Sequence, residues 1–406
     1  MMKMCIYRGI RRIIFVGIDT GKDYLDVIGI NIHGHEVLPP CRFTQDKEGF
    51  KQFLQTVKKV EAQLDSEIRF GIESTGVFHI GVYDYLDTSG YQVRVFNGLE
   101  VRAFKKTRIR KTETDKIAAK AIANALRFCF DPEKRSPLPK EWRNLRELCR
   151  ARGRLVKEQT RMKNQLGRNL DLIFPGLTKL FAKKMTKQFL RLLEHACTPA
   201  KICEMGEEEL MRLLSARKAK SVLKVAQNAQ GAEGYDKAVS IEIQSQIRRL
   251  RVNQEEIEQM EREINKEFDS IDSVIITIKC IGPITGAIIL TEIGDIENFT
   301  HPKQIVALAG LDSIIKASGR FRGEYKISKC GSKYLRTALY QAAFTGARCN
   351  PVLHAYYTKM RSKGKTHRDA LTCCARKLCH IVYSVLKNNK PFYVPSKFTD
   401  SSTESS

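Results

Sequence analysis

The sequence has 406 residues, enough for two or three domains that each bury a core of their own. Lysine and arginine number 70 against 45 aspartate and glutamate, and the net charge of +25 favours a polyanionic partner over a merely soluble basic protein. The 12 cysteines include no C-x-x-C pair, which argues against a zinc framework and predicts reduced, mostly buried thiols of a cytoplasmic protein. The apolar start IIFVGI is too short for a membrane span and predicts a strand instead of a signal peptide.

Strands and helices alternate over residues 13–130. Three successive strands are predicted in IIFVGID, LDVIGINI and EVLPPCRFT, followed by a helix in KEGFKQFLQTVKKVEAQL and a strand in IRFGIES. A helix after Gly76 and the strand QVRVF complete the series. Three strands followed by strand–helix alternation predict a mixed sheet covered by helices.

Three acidic residues occupy the ends of predicted elements in this region. Asp19 and Glu73 each end an apolar run, and Asp115 opens the helical stretch DKIAAKAIA. Singly, these are explained as a turn residue, a surface charge and a helix-start residue. Together they predict a Mg²⁺ site, because sheets of this kind place their sites at carboxyl ends and Mg²⁺ prefers hard oxygen ligands. Three residues after Asp115, on the same helix face, stands Ala118 and no fourth carboxylate.

A basic run, VRAFKKTRIRK, precedes Asp115. A solvated helix face and a track for DNA phosphates explain it equally well. The residues predicted to bind DNA here are Lys105, Lys106, Arg108, Arg110 and Lys111.

Residues 139–270 are predicted to be almost wholly helical, with breaks at Pro175–Gly176 and at residues 228–235. Apolar residues recur there at a spacing of three and four, which predicts a helical hairpin or a short coiled coil. One stripe is Leu145, Leu148, Leu155, Met162 and Leu166, and the other is Ile243, Ile247, Leu250, Ile257, Ile264 and Phe268. Pairing within one chain and self-association both remain open.

Residues 274–394 form a further mixed region, and residues 395–406 a frayed polar tail. The helix-hairpin-helix-like segment CIGPITGAIILTEIGDI could present backbone N–H groups to a phosphate, although such turns are common. Ser318 lies among Arg320, Arg322 and Lys326, where a hydroxyl could attack a phosphodiester and the cations could bind DNA. From residue types alone, a Ser-Gly turn in a basic loop is the more economical interpretation.

These segments occur together, in the same order, in one known family. GIDTGKDYLDV, GIESTGVF, TETDKIAAKAIA, LRELCRARGRLVKEQTRMKNQL, IKCIGPITGAIILTEIGDI and LAGLDSIIKASGRFRGEYKISKCGSKYLRTALYQAAF carry the likeness. Over roughly residues 13–394 the chain resembles the DEDD transposases of bacterial insertion sequences, a family that includes the Piv-type DNA invertases.

The resemblance implies an α/β plus α fold class. Residues 13–130 would form a ribonuclease-H/RuvC-like mixed sheet with Mg²⁺ on Asp19, Glu73 and Asp115. A long helical coiled-coil insert would follow, and then a mixed, mainly helical transposase domain whose nucleophile maps onto Ser318. The implied partners are donor and target DNA, a structured guide RNA encoded by the element, and further copies of the chain in a dimer or tetramer. The implied location is the bacterial cytoplasm, at the nucleoid.

Two positions depart from the family pattern. Where the family has T-D-x-x-D-A, this chain has Ala118, which cannot coordinate a metal, and Glu113 faces elsewhere on a helix. Where the family has Asn-Pro, this chain has Asn97-Gly98, a change expected to be benign. Ala118 raises the alternative of a catalytically inactive, nucleic-acid-binding relic or variant. A Piv-type invertase and a junction-resolving nuclease that uses water are two further alternatives to a transposase.

Overall fold

The computed structural model describes residues 12–74, 76–105, 114–128, 138–181, 186–314, 317–318, 321–322 and 326–396. The chain divides into two compact units, the first ending at Arg135 and the second beginning at Ser136. The predicted helical segment and the predicted C-terminal segment both belong to the second unit.

The first unit is built on a five-stranded sheet. Its strands are β1 Arg12–Thr20, β2 Tyr24–Ile30, β3 Glu36–Thr44, β4 Ser66–Glu73 and β5 Gln92–Phe96. They lie in the order β3-β2-β1-β4-β5. β1 pairs antiparallel with β2, as β2 does with β3, whereas β1–β4 and β4–β5 are parallel. The predicted mixed sheet is thus confirmed.

Helices cover both faces of this sheet. They are α1 Lys47–Leu64, α2 His79–Thr88, α3 Gly98–Lys105 and α4 Asp115–Phe128. Alternate β1 residues point to opposite faces, so Ile14, Val16 and Ile18 pack in one core with α1 and α2. Phe15 packs in the other core, with Ile122 and Leu126 of α4.

Gly17 determines how closely α4 approaches the sheet. A Cβ at this position would lie 2.1 Å from the carbonyl oxygen of Ala119 and 2.5 Å from the backbone nitrogen of Ala123. Only a residue without a side chain permits this contact. The small residues of α4 therefore lie directly against β1, and the first turn of the helix lies beside the end of that strand.

The second unit is helical apart from short strand pairs. Its helices are α5 Lys140–Ile173, α6 Lys187–His195, α7 Pro199–Leu213, α8 Ala216–Asn228, α9 Asp236–Asp269, α10 Pro283–Ile293, α11 Pro302–Leu308, α12 Lys333–Cys349, α13 Pro351–Ser362 and α14 His367–Asn388. The strands are β6 Ser313–Ile314 paired with β9 Lys326–Ile327, and β7 Ala317–Ser318 paired with β8 Phe321–Arg322. Both predicted helix breaks are confirmed, because α5 ends just before Pro175 and residues 229–235 separate α8 from α9.

The two long helices α5 and α9 pack against each other. Arg152 pairs with Glu261 at 2.7 Å, and Gln159 donates to Gln254 at 2.7 Å. Residue numbers rise along one helix as they fall along the other, so the pair is antiparallel. The predicted apolar stripe of α9 is buried at Ile243, Ile247, Leu250, Ile257, Ile264 and Phe268. Helix pairing within one chain accounts for this stripe, while a coiled coil and self-association stay predictions.

Glu292 of α10 forms a buried ion cluster that local sequence did not indicate. Its Oε1 accepts from Nε of Arg150 at 2.7 Å and lies 3.6 Å from Nε of Arg146, both on α5. Its Oε2 accepts from the hydroxyl of Ser332, at the start of α12, at 2.7 Å. Burial raises the pKa of Glu292, but the hydrogen bond from Arg150 and the charge of Arg146 outweigh it, so the pKa lies below its ordinary value.

The cysteines in the described ranges are free thiols, as predicted. The prediction that most are buried is wrong for these ten, because only Cys149, Cys197, Cys374 and Cys379 are buried. The others lie on β3, on helices or in loops, and the apolar residues around them in the sequence did not indicate how exposed each thiol is. Within the described ranges, no helix has the length and apolar character needed to cross a membrane.

Candidate active site

A cavity of about 510 Å³ opens at the carboxyl end of β1. Its lining residues come from the end of β1, the β1–β2 turn, β2, β3, the residues just before α2 and the start of α4: Asp19, Thr20, Gly21, Lys22, Asp23, Tyr24, Asp26, Arg42, Gly76, Phe78 and Asp115. The four carboxylates in this set outnumber the two cations, Lys22 and Arg42, giving the cavity wall a net charge of −2. The wall of this basic protein is locally acidic and suits a divalent cation.

The structure brings together Asp19 and Asp115, two of the three predicted metal ligands. Asp19 has the same strand parity as Gly17, so its side chain points to the sheet face that α4 covers. Asp115 is the first residue of α4 and lies beside the end of β1. A carboxylate at a helix N-terminus is also favoured by the helix dipole.

Asp26 and Arg42 also line the cavity, although sequence reasoning did not select them. In the sheet register Asp26 pairs with Asp19 across β1–β2 and with Arg42 across β2–β3. Side chains of such partners stand on the same face, so all three form one row. The guanidinium of Arg42 binds Asp26 through two nitrogens, at 3.1 and 2.9 Å, and its Nη2 also donates to Oδ2 of Asp115 at 2.9 Å.

These contacts stabilise the charged form of Arg42. The hydrogen bond to Asp26, followed by the charge of Asp26, raises its pKa above the ordinary value. Its guanidinium carbon lies 5.4 Å from the ring centroid of Tyr24, within range for a cation–π contact. One sequence signal could have identified Asp26, because it is a carboxylate inside the apolar segment LDVIGINI. In the structure Asp26 is buried, at 8% exposure.

Glu73, the third predicted ligand, ends β4 beside the cavity without being one of its lining residues. Ile18 pairs with Ile72, so Glu73 follows at the level of Asp19 on the adjacent strand. Its side chain is buried, and its Oε1 lies 3.0 Å from the point where a Cβ would stand at Gly98. Gly98, which stands where the family has proline, therefore lies next to the carboxylate of Glu73. Because glycine has no side chain, it makes no close contact with that carboxylate.

Ala118 lies one turn into α4 and is 8% exposed. Its N–H donates to the carbonyl of Thr114 at 2.9 Å, as expected in a helical first turn. A carboxylate there would share the helix face of Asp115. The chain therefore lacks the fourth carboxylate at a position that the fold keeps close to the third.

The donor set suits Mg²⁺ in its chemistry, because carboxylate oxygens are the ligands this ion prefers. Thr20 also lines the cavity, but it pairs with Leu25, so its side chain faces the side of the sheet opposite to Asp19. Among the described residues, however, no three His, Cys, Asp or Glu residues stand close enough to hold a metal ion. In this conformation Asp26 and Asp115 converge on Arg42.

The remaining predicted site residues are Ser318 and those predicted to bind DNA. Lys106, Arg108, Arg110, Lys111 and Arg320 lie outside the described residues. Lys105 ends α3, Ser318 ends β7 and Arg322 ends β8. Ser318 pairs with Phe321 in a two-stranded hairpin, and Lys326 begins β9 with an exposed side chain. The acidic cavity belongs to the first unit and Ser318 to the second.

Comparisons with known proteins give a consistent result. A family model described as a transposase, of the DEDD IS110 type, matches residues 16–175. A second model, described as the transposase IS116/IS110/IS902 family, matches residues 272–358. Together they span both the acidic cavity and the Ser318 region.

Similar proteins match along most of the chain. The uncharacterized 44.8 kDa protein of insertion element IS116 from Streptomyces clavuligerus is 25% identical, covering 93% of this chain and 96% of its own length. The uncharacterized protein of insertion element IS110 from Streptomyces coelicolor is 24% identical, covering 92% and 94%. The pilin gene-inverting protein of Moraxella bovis is 23% identical, covering 93% and 97%.

Proposed function

Because this chain belongs to the DEDD transposase family of bacterial insertion sequences, we propose that it cuts and rejoins DNA through Ser318, assisted by Mg²⁺ at the acidic cavity. One observation carries the proposal: Asp19 and Asp115 line a single cavity, although 96 positions separate them in the chain. A transposase or recombinase acting on DNA is the function that the family supports. The serine and the metal are the specific parts of the proposal.

Asp19, Glu73 and Asp115 would hold the metal, from two adjacent strand ends and a helix start. When bound, Mg²⁺ polarises a phosphoryl oxygen and neutralises charge developing on the phosphodiester. The residues of the chain supply the rest. Their net negative wall favours a cation over a bare phosphate, and Arg42 forms ion pairs with Asp26 and Asp115 that offset one of their two negative charges.

The proposed chemical step is a transesterification at phosphorus. The Oγ of Ser318 forms a bond to phosphorus, one bridging P–O bond breaks, and the released DNA oxygen takes up a proton as the serine hydroxyl loses one. The phosphoserine bond keeps the energy of the phosphodiester, so the reverse step rejoins DNA without ATP. Cations near the serine would stabilise the transition state, and Arg320, Arg322 and Lys326 are the candidates.

The proposed partners are donor and target DNA, a structured guide RNA and other copies of the chain. The net charge of +25 supports binding to both kinds of nucleic acid through phosphate contacts. Part of these contacts would be made by the basic run that precedes Asp115 in the sequence: Lys105, Lys106, Arg108, Arg110 and Lys111. The family resemblance suggests that the acidic site of one subunit acts with the serine of another in a dimer or tetramer.

The test is to trap a covalent protein–DNA adduct with DNA that spans the ends of the element. Wild-type chain should give an adduct that survives denaturation, and Ser318→Ala should give none. Ser313→Ala is the matched control, because this exposed serine lies on β6, the strand that precedes β7 in the chain. Cleavage that persists in Ser318→Ala without an adduct would replace the proposal by a nuclease that uses water.

An invertase is the second candidate, favoured by the near full-length similarity to the pilin gene-inverting protein. Inversion of a plasmid segment between two copies of the recombination site would support it, whereas integration into a second molecule supports a transposase. The inactive alternative rests on Ala118. It predicts that the wild-type chain binds nucleic acid and forms no adduct even with Mg²⁺ present.

A further inference from the structure

The row Asp19, Asp26 and Arg42 runs across three neighbouring strands at the bottom of the acidic cavity. Register partners have Cβ atoms about 5 Å apart and point to the same face. Asp26 therefore stands beside Asp19, facing the same α4 side of the sheet. Asp26 is a cavity carboxylate in addition to Asp19, Glu73 and Asp115, the metal ligands that the family resemblance implies.

Arg42 joins this row to α4. Its Nη2 lies 2.9 Å from Oδ2 of Asp26 and 2.9 Å from Oδ2 of Asp115. Those two oxygens can therefore be no further apart than twice that distance. A Mg²⁺ ion binds oxygen at about 2.0–2.1 Å, so a small movement of the exposed Asp115 side chain would let one ion replace the guanidinium between them.

We propose that Asp26 supplies the fourth carboxylate ligand of the site, in place of the carboxylate that is missing at Ala118. In this proposal Arg42 is the counter-ion of Asp26 and Asp115, and a divalent cation displaces it when it binds. This inference rests on the proposed function, since it concerns the same metal. Arg42 is a positioning residue: it contacts the carboxylates and is exchanged for the ion.

The charge of the wall supports this assignment. With Arg42 bound to Asp26 and Asp115, these three residues carry a net charge of −1. When Arg42 moves away, Asp26 and Asp115 together carry a charge of −2, which balances the charge of a divalent cation. Because Arg42 is half exposed, at 52% of its side chain, it can leave the row without disturbing the core.

The test measures Mn²⁺ binding to the full chain without nucleic acid, by calorimetric titration and by the loss of the free Mn²⁺ paramagnetic resonance signal. Arg42→Gln should bind Mn²⁺ at least about tenfold more tightly than wild type, because the competing cation is gone. Asp26→Asn in the Arg42→Gln background should lose at least about tenfold of that affinity. This background matters because Asp26→Asn alone would leave Arg42 in place, still paired with Asp115, to compete with the ion.

Glu36→Gln in the Arg42→Gln background is the matched control. Glu36 is also on β3 and also pairs with α4, through Lys120, but it does not line the cavity. This variant should keep the affinity of Arg42→Gln. Thermal unfolding and circular dichroism establish that each variant is folded, so that a lost site is distinguished from a lost fold.

Two results would overturn the inference. Equal Mn²⁺ affinity in Arg42→Gln with and without Asp26→Asn would show that Asp26 is not a ligand. Unchanged or weaker binding in Arg42→Gln would show that Arg42 does not compete with the ion. Neither result bears on the covalent adduct, so formation of the adduct through Ser318 tests the proposed function separately.

Discussion

Arg42 donates a hydrogen bond of 2.9 Å to Asp115, linking the third strand of the sheet to the first residue of α4. The same two elements are joined again by Lys120 and Glu36, further along the helix. The first contact lies in the acidic cavity and the second outside it. This pair of links makes it possible to separate a catalytic effect from a structural one at this helix.

Asp115→Asn should abolish function while leaving the fold intact. The side chain of Asp115 is 65% exposed, and exposed ion pairs contribute little, so the free energy of unfolding should change by less than about 1 kcal/mol. Strand cleavage should fall by at least about 100-fold, because a catalytic metal supplies several kcal/mol at the transition state. Adduct yield and urea unfolding are the two measurements. Glu36→Gln is the control, and equal cleavage by Asp115→Asn and wild type would contradict the assignment.

Glu292→Gln should strongly destabilise the second unit. The Glu292 side chain is only 2% exposed, and its removal leaves Arg146 and Arg150 half-buried without their shared counter-charge. Breaking a buried ion pair in this way typically costs about 3–5 kcal/mol. Urea unfolding at neutral pH measures the loss. As a control, Glu297→Gln, which breaks an exposed pair with Lys387, should cost less than about 1 kcal/mol.

The stabilising effect of Glu292 should also depend on pH. Its pKa is lowered in the folded chain relative to the ordinary value of 4.5, so folding favours the ionised form. The stabilisation is therefore fully present above pH 4.5 and is lost as the pH falls through the lower, folded-state pKa. The difference in unfolding free energy between wild type and Glu292→Gln should shrink across that acid range. A difference that stays constant from neutral pH into acid would contradict this.

Two exposed aromatic residues at the cavity should contribute to nucleic-acid binding. Tyr24 is 47% exposed and Phe78 is 40% exposed, and both line the acidic cavity. A base stacked on such a ring contributes about 1–3 kcal/mol. Tyr24→Leu and Phe78→Leu should each weaken single-stranded DNA binding about fivefold or more, measured by fluorescence anisotropy at fixed salt. Leucine at the exposed Tyr393, outside the cavity, is the control, and an equal loss there would refute a specific role.

Much of the sheet and part of the site follow from the sequence. The apolar runs locate all five strands of the first unit, and the placement of Asp19 and Glu73 at strand ends follows from where those runs stop. Asp115 at the start of α4 follows from the alanine-rich helical pattern after it. These features depend on short stretches of chain, where local propensity and periodicity carry the information.

Asp26 and Arg42 could not be derived in the same way. Their proximity depends on the register between β2 and β3, and that register contains shifts between Val27 and Gly29 and again before Ile30. A slip of one residue would turn Arg42 to the opposite face of the sheet. Glu292 shows the same limit, because 142 positions separate it from Arg150 and no local pattern links them.

Ala118→Asp tests the missing carboxylate directly. Position 118 is nearly buried on the helix face of Asp115, so a new carboxylate there would be costly without a cation and should lower the thermal midpoint in metal-free buffer. Mg²⁺ should then raise the midpoint more in this variant than in wild type, since a ligand that binds only the folded state stabilises it. If Asp26 fills the fourth place, Ala118→Asp should also restore the Mn²⁺ affinity that Asp26→Asn removes in the Arg42→Gln background. Ala118→Asn, of similar size and without charge, should neither increase the Mg²⁺-dependent shift of the midpoint nor restore Mn²⁺ affinity. Equal Mg²⁺ shifts in wild type, Ala118→Asp and Ala118→Asn would mean that position 118 lies out of reach of the metal.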